Sequence, residues 1–170
     1  MSDTTKATKR AHEETPAEEG APAAKKSRTI DVTYKPPLLI PIASPLADDK
    51  LTKRVYKLVT KATKEKKIRR GVKEVVKTIR KEKAPESKKR LCVLAADITP
   101  IDVITHIPVM CEEKSIPYVY IRSRAVLGQA AKTKRPTSVV LVNLQAGSEY
   151  ESLYEKCVKK IKAIEVPKDN

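Results

Sequence analysis

The chain has 170 residues, a length that fits one domain of ordinary size with a tail and argues against two domains. Its 36 Lys and Arg residues exceed its 21 Asp and Glu residues by 15, and this charge favours a polyanionic partner. Apolar residues make up 40% of the sequence, enough for a packed core, but Trp and Phe are absent. We therefore expect an aliphatic core and few aromatic surfaces on which bases could stack.

Membrane and secretory segments are not expected. The apolar runs, such as residues 139–142, are far shorter than the roughly 20 residues that span a bilayer, and residues 1–10 lack the apolar centre of a secretory signal. The three cysteines, Cys92, Cys111 and Cys157, are odd in number and have no C-x-x-C spacing. This pattern excludes a fully paired disulfide framework and the usual zinc signatures. We expect a soluble intracellular protein with three reduced thiols in its core.

The first part of the chain divides into a tail and a strap. Residues 1–33 contain almost no large apolar side chain, which predicts disorder. Their basic cluster, Lys25, Lys26 and Arg28, could serve a nuclear import receptor or could simply be solvated. Residues 34–49 contain four prolines, which exclude a helix interior and predict an extended strap. The strap would contact the following domain, residues 50–170, through Leu38, Leu39, Ile40 and Ile42.

Most of the positive charge lies between Lys50 and Arg90. This segment holds 18 basic residues against four acidic ones, whereas six basic and six acidic residues balance in residues 1–34. A run of lysines is usually a solvated helix surface. Here the imbalance is too large for that interpretation, because like charges one helical turn apart destabilise a helix that a phosphate backbone would stabilise. The segment therefore favours a nucleic-acid partner.

Two amphipathic helices are predicted within this basic segment. The first is capped by Asp48 or Asp49, and the second follows Gly71. The apolar stripe of the first helix comprises Leu51, Val55, Leu58, Val59 and Ala62. The second helix places Val72, Val75, Val76 and Ile79 inward and Lys73, Glu74, Lys77 and Arg80 outward.

The remainder of the domain alternates strand and helix patterns. Continuous apolar runs at 91–96, 118–121 and 139–142 predict strands that are covered on both faces. Helices are predicted at 101–113, with a bend or restart at Pro108, and at 124–131. The last helix has an apolar stripe formed by Tyr150, Leu153, Tyr154, Cys157, Val158 and Ile161. Strands alternating with crossover helices predict an α/β sandwich with a mostly parallel central sheet.

No arrangement of residues typical of an enzyme is found. His12 lies in the tail and His106 on a helix, so no second histidine can complete a Cys/His or Ser/His arrangement. Asp97 and Asp102 flank the end of a strand, but they fit a helix cap and a turn as well as they fit catalysis. The four glycines are too scattered for a nucleotide-binding loop. We expect no catalytic site, cofactor or metal.

Two basic segments could bind nucleic acid. In the first, residues 68–77, a glycine precedes a helix whose first-turn amides can face an RNA phosphate or a base edge. Glu74 repels phosphates, but its carboxylate can accept hydrogen bonds from base amino and imino groups. The second segment, residues 131–137, is a basic loop whose exit is held extended by Pro136. Alternatively, this loop is a solvated connection between two elements and does not bind nucleic acid.

The sequence contains five motifs in this order: RRGVKEV, PIDVITHIPVMCEE, IPYVYI, LGQAA and KRPTSVVLV. Together they resemble the kink-turn RNA-binding family of ribosomal and small nucleolar ribonucleoprotein subunits. The resemblance covers the chain from about Pro41 and is strongest to the H/ACA branch. It implies a three-layer α/β/α domain, here with a mostly parallel (mixed) central sheet, that binds the upper stem of an H/ACA guide RNA. The particle isomerises uridine to pseudouridine in ribosomal and spliceosomal RNA in the nucleus and nucleolus. The chemistry would belong to a pseudouridine synthase subunit, with small scaffold subunits as further partners and no membrane or small-molecule substrate.

The resemblance also implies which residues contact RNA. They are Arg70, Gly71, Lys73, Glu74 and Lys77 in the first segment, and Lys132, Thr133, Lys134 and Arg135 in the second. The sequence departs from the family where Lys73 replaces an Asn and Lys132 replaces a Gly. An Asn amide both donates to and accepts from a purine edge, whereas Lys73 only donates. We therefore predict RNA binding with weak sequence preference and a steep dependence on salt.

Two alternative functions stay open. A sibling of the same family would bind kink-turns in a box C/D, spliceosomal or ribosomal particle, and Lys73 in place of Asn argues against it. A protein-interaction module of the same fold would have no RNA role, and its lysines would be solvated surface.

Overall fold

The computed structural model describes residues 38–81 and 89–165. The predicted tail with its basic cluster, the first four strap residues, residues 82–88 and residues 166–170 lie outside this part. The described elements are α1 (Asp49–Lys64), β1 (Ile68–Arg70), α2 (Val72–Lys81), β2 (Arg90–Ala95), α3 (His106–Glu113), β3 (Tyr118–Ile121), α4 (Arg124–Ala130), β4 (Val139–Asn143) and α5 (Glu151–Glu165).

Hydrophobic periodicity predicts the helices well. All five predicted stripe residues of α1 are buried, although Asp48 at its N-cap makes no side-chain capping hydrogen bond. In α2 only Val75 and Ile79 are fully buried, while Val72 and Val76 pack against the core from its margin. The four residues predicted to face outward from α2 are exposed. The predicted stripe therefore identifies the correct face of each helix and overstates its width in α2.

The sheet is mixed, and its strand order is β1-β4-β2-β3. Of the four described strands, β2 and β3 pair in parallel, whereas β4 runs antiparallel to both β2 and β1. The prediction of a mostly parallel sheet is wrong in this respect. Residues 122–138 leave β3 and enter β4 at the same end of the sheet, since Ala96 N–H donates to Ile121 O and Ala95 N–H donates to Ser138 O. A connection that returns at the same end must feed an antiparallel strand.

Helices cover both faces of this sheet. α1 packs against α4 and α5, and α2 packs against α3. Neighbouring residues of a strand point to opposite faces, and β1 shows the consequence. Arg69 lines a cavity with residues of α2, while the Arg70 guanidinium donates to Ala131 O at the end of α4. The expected three-layer α/β/α architecture with a mixed sheet is confirmed.

The core is aliphatic, as predicted, with Tyr120 and Tyr150 as the largest buried side chains. All three cysteines are buried and free, which confirms that they are reduced core thiols. In the part of the chain that the structure describes, no helix has both the length and the apolarity to cross a membrane.

The helix predicted at 101–113 begins later than expected. A 3₁₀ turn at Ile101–Val103 precedes α3, which begins at His106. Pro108 is therefore in the first turn of α3, where a missing N–H breaks no helical hydrogen bond. The predicted bend or restart at Pro108 is wrong, because the restart lies two residues earlier. His106 is exposed and does not belong to the core.

The described strap residues lie beside the outer edge of β3. Tyr120 N–H donates to Pro45 O at 2.9 Å, and Ala47 N–H donates to Tyr120 O at 2.8 Å. Leu39 and Ile40 pack against the core. Leu38 is 73% exposed and Ile42 is 40% exposed, so these two side chains do not hold the strap as the sequence analysis expected. Short pairings of this kind protect an edge strand from other chains.

Candidate nucleic-acid interface

The first basic segment turns sharply at Gly71, between β1 and α2. Gly71 has φ +90°, a conformation that residues with a side chain rarely adopt. Its N–H donates to Val139 O at 3.0 Å, and its carbonyl accepts from Val75 N at 3.0 Å. The turn thereby fixes the start of α2 beside the start of β4.

This turn presents the predicted contact residues of α2 to solvent. Lys73, Glu74 and Lys77 are all exposed. They lie on the side of α2 away from the buried Val75 and Ile79. The helix N-terminus carries partial positive charge, which adds to the attraction that the lysines exert on an anion.

The second basic segment is a structured loop at the end of α4. Lys132, Lys134 and Arg135 are exposed, and Lys132 has φ +51°. Thr133 N–H donates to Gly128 O at 3.0 Å, and the Thr133 hydroxyl accepts from Arg135 N at 3.2 Å. Thr133 therefore supports the turn of the loop, and the three cations carry its charge.

Gly128 allows this loop to lie close against α4. A Cβ atom at this position would stand 2.5 Å from Arg135 O and 3.2 Å from Pro136 Cα. Contacts that short do not occur with a real side chain, so only glycine permits this packing. Gly128 belongs to the LGQAA motif, which by itself indicates no role for the glycine, and only its three-dimensional contacts reveal one.

The fold brings the two basic segments to the same end of the sheet. The Arg70 guanidinium donates to Ala131 O at 3.4 Å, which joins the end of β1 to the start of the loop. On the other side of the loop, Gly71 N–H donates to Val139 O. Glu74 and the loop cations are separated by about 60 residues in sequence, and these two contacts place the segments that carry them next to each other. We call the surface formed by residues 70–77 and 131–137 the interface.

Asp97 helps to position α4 and the loop. Its Oδ1 accepts a hydrogen bond from Arg124 N, the first residue of α4, at 2.7 Å. Burial raises the pKa of the Asp97 carboxyl, and the hydrogen bond from Arg124 opposes that rise. Arg124 O in turn accepts from Thr137 N at 3.1 Å. Asp97 thus supports the first turn of α4, whose N-cap residue is Ser123.

Several basic residues near the interface were not singled out from the sequence. Arg124 is exposed at the start of α4, but an isolated arginine gives no signal in a sequence. Arg69, Lys81 and Arg90 line a cavity together with Glu74 and Lys77. Their clustering depends on the pairing of β1 with β4 and of β4 with β2, which the sequence analysis did not predict.

Two of the buried thiols, Cys92 and Cys157, are poor nucleophiles and metal ligands. The Cys92 pKa is raised by its hydrogen bond with Cys111 and by burial, and burial raises the pKa of Cys157 to about 11. A thiol must lose its proton to attack or to bind a metal. Across residues 38–81 and 89–165, His, Cys, Asp and Glu form no group of three that could hold a metal ion.

Comparison with known proteins identifies the family. A model of the ribosomal protein L7Ae/L30e/S12e/Gadd45 family matches residues 53–151, which include both interface segments. The chain belongs to that family.

Within the family, the chain is similar to named subunits of one particle. It is 48% identical over 129 residues to the H/ACA ribonucleoprotein complex subunit 2 of Bos taurus, covering 76% of this chain and 80% of that protein. It is also 48% identical over 137 residues to the H/ACA ribonucleoprotein complex subunit nhp2 of Schizosaccharomyces pombe, covering 76% and 86%. Among solved structures, the 15.5kD RNA binding protein of Giardia lamblia matches with a TM-score of 0.66 and 31% identity, covering 73% of this chain and 98% of that one.

Proposed function

We propose that this protein is the RNA-binding subunit of an H/ACA ribonucleoprotein. The observation that carries the proposal is the meeting of two cationic segments at one end of the sheet, where Arg70 bonds to Ala131. The names of the similar bovine and fission-yeast proteins support the assignment to this particle, and the RNA-binding Giardia protein supports the ligand class.

The proposed role is that of a scaffold without catalysis. The protein would bind the upper stem of the guide RNA in a nuclear, nucleolar particle, and a separate pseudouridine synthase subunit would carry out the isomerisation. Small scaffold subunits would link the two. The nine residues implied by the resemblance have three roles. Phosphates are attracted by Lys73, Lys77, Lys132, Lys134 and Arg135, and Glu74 accepts hydrogen bonds from bases. The surface is shaped by Arg70, Gly71 and Thr133.

Charge reversal tests this proposal directly. The triple variant Lys73→Glu/Lys77→Glu/Lys134→Glu should weaken binding to a guide RNA hairpin by about a hundredfold or more, because three phosphate contacts become repulsive. Its free energy of unfolding should change by less than about 0.5 kcal/mol per site, because all three side chains are exposed. Filter binding measures the affinity, and urea denaturation followed by circular dichroism measures the stability.

A matched control distinguishes the effect of where the lysines lie from the effect of reversing three charges anywhere on the protein. Lys53→Glu/Lys57→Glu/Lys156→Glu reverses three exposed lysines, two of them spaced one helical turn apart like Lys73 and Lys77. The control should bind RNA much more tightly than the interface variant. Equal losses in both variants would contradict a localised RNA site and would indicate general charge attraction.

The identity of the bound RNA separates the alternatives. RNA recovered with the protein from cell extract should carry H and ACA boxes. Recovery of box C/D, spliceosomal or ribosomal RNA would favour a sibling of the same family, and recovery of no RNA would favour a protein-interaction module.

A further inference from the structure

A groove lined by cations begins at α2 next to the interface and extends to the opposite end of the sheet, where Lys67, Lys89 and Arg90 lie. It consists of two cavities of about 350 and 320 Å³. Arg90 and Asn143 line both cavities, so the two cavities adjoin each other at these residues. The cations of the groove are Lys67, Arg69, Lys77, Lys81, Lys89 and Arg90.

The fold assembles these cations from three elements. Arg69 projects from β1 toward α2, whose Lys77 and Lys81 lie one helical turn apart. Lys89 and Arg90 come from the start of β2, on the far side of β4. Glu74 is the one carboxylate among the described residues that line the two cavities. Among the described residues of this lining, six cations stand against one carboxylate, and such an excess of positive charge attracts an anionic ligand.

Protection of the sheet edge does not explain the groove. Charged side chains on an edge strand prevent pairing with other chains, and this accounts for Arg69 on β1. It does not account for Lys77 and Lys81, which lie on a helix, or for Arg90, which lies on an inner strand. These residues add charge where no strand edge needs covering.

We propose that the groove binds the phosphate backbone of the guide RNA stem beyond the interface. This inference rests on the proposed RNA-binding function. Glu74 and Lys77 belong to both the interface and the lining of the groove, so RNA bound at the interface lies at the entrance of the groove. Lys and Arg side chains contact phosphates, and such contacts carry little sequence information. The groove therefore lengthens the RNA contact without making it more selective.

Stem length provides the test. Two hairpins with the same loop are compared, one with a stem of about 16 base pairs, which is the length that double-stranded RNA-binding domains span, and one with half that stem. The variant Arg69→Gln/Lys89→Gln should bind the long hairpin about tenfold more weakly than wild type. Its slope of log affinity against log salt should fall by about two, one unit for each lost phosphate contact. Its affinity for the short hairpin should match that of wild type.

The control Lys156→Gln/Lys159→Gln removes two exposed charges from α5 and should leave both affinities unchanged. Equal affinities of the groove and control variants for the long hairpin, with the effect of charge reversal at the interface intact, would overturn the groove proposal alone. Failure of wild type to bind either hairpin would overturn the RNA function itself. Weaker binding of the groove variant to another protein subunit of the particle, with RNA affinity unchanged, would assign the groove to an acidic protein partner instead.

Discussion

A half-buried carboxylate at the end of β2 positions the first residue of α4. The 2.7 Å hydrogen bond from Arg124 N to Asp97 satisfies an amide that the helix itself leaves without a partner. The pKa of Asp97 is nevertheless raised, because burial disfavours the charge more than the hydrogen bond favours it. Asp97 therefore stabilises α4 through its hydrogen bond, while its buried charge is unfavourable. Substitutions can separate the effect of the hydrogen bond from the effect of the charge.

Replacing Asp97 by Ala should lower the free energy of unfolding by about 1–3 kcal/mol, because the Arg124 amide loses its acceptor. Asp97→Asn keeps an acceptor oxygen without the charge and should be more stable than wild type at pH 7. A carboxyl whose folded pKa is raised binds its proton more tightly in the native state, so wild type gains stability as the pH falls through that pKa. The advantage of the Asp97→Asn variant should therefore disappear in acid.

Urea denaturation of the three proteins between pH 3 and pH 7 measures this difference. Asp102→Asn is the control, because Asp102 is exposed. If the Asp97→Asn variant is less stable than wild type at pH 7, the Asp97 charge contributes more through its hydrogen bond than it loses through burial.

At the scale of elements, α4 and the loop after it act as one unit. Gly128 lets the loop approach the helix, Thr133 N–H bonds back to Gly128 O, and Thr137 N–H bonds to Arg124 O at the helix start. The loop is therefore bound to both ends of a seven-residue helix. This arrangement fixes the backbone that carries the loop cations before RNA arrives, which reduces the entropy lost on binding.

Gly128→Ala should displace the loop without changing any charge. The added Cβ would meet Arg135 O at 2.5 Å, and relief of that contact should cost about 1–3 kcal/mol of stability. We expect RNA affinity to fall about tenfold, because the loop cations move away from the α2 lysines. Filter binding at a temperature where circular dichroism shows the variant to be folded measures the loss.

Ala130→Gly supplies the comparison, because it changes a buried residue of the same helix without crowding the loop. An RNA affinity for Gly128→Ala equal to that of Ala130→Gly would mean that the loop position does not matter for binding.

At the scale of the whole molecule, an aliphatic α/β core supports a surface with strongly uneven charge. The net charge of +15 comes almost entirely from the segment 50–90. That segment forms α1, β1 and α2, and the last two lead into the interface. Phosphate attraction of this kind is strong and weakly selective, and it weakens steeply as salt rises.

We predict that the isolated protein prefers a kink-turn over a plain hairpin of equal length by less than about a hundredfold at physiological salt. Lys73→Asn should raise this preference, because an amide both donates to and accepts from a purine edge. The same change should make the salt slope shallower by about one unit. Competition binding over a series of salt concentrations measures both quantities, and a kink-turn preference above a hundredfold in wild type would contradict the prediction.

Much of the fold follows from hydrophobic patterns. The stripe of α1, the apolar run of β3 and the buried cysteines were predictable because burial repeats with the period of each element. β1 was not predictable, because three residues with two arginines give no strand signal and only pairing with β4 makes them a strand. The start of α3 was misplaced because proline is compatible with the first turn of a helix.

The sequence by itself determined the α/β class, the aliphatic core and the residues that carry the charge, because composition and periodicity are local properties. Only the tertiary structure decided that residues 70–77 and 131–137 share one surface, since that depends on β4 entering the sheet between β1 and β2. It also decided the role of Gly128 and the existence of the groove. The shared surface and the groove arise where distant parts of the chain meet, and a contact between distant residues leaves no periodic mark in the sequence. The role of Gly128 depends on how closely the loop returns to α4, which is also not a periodic property.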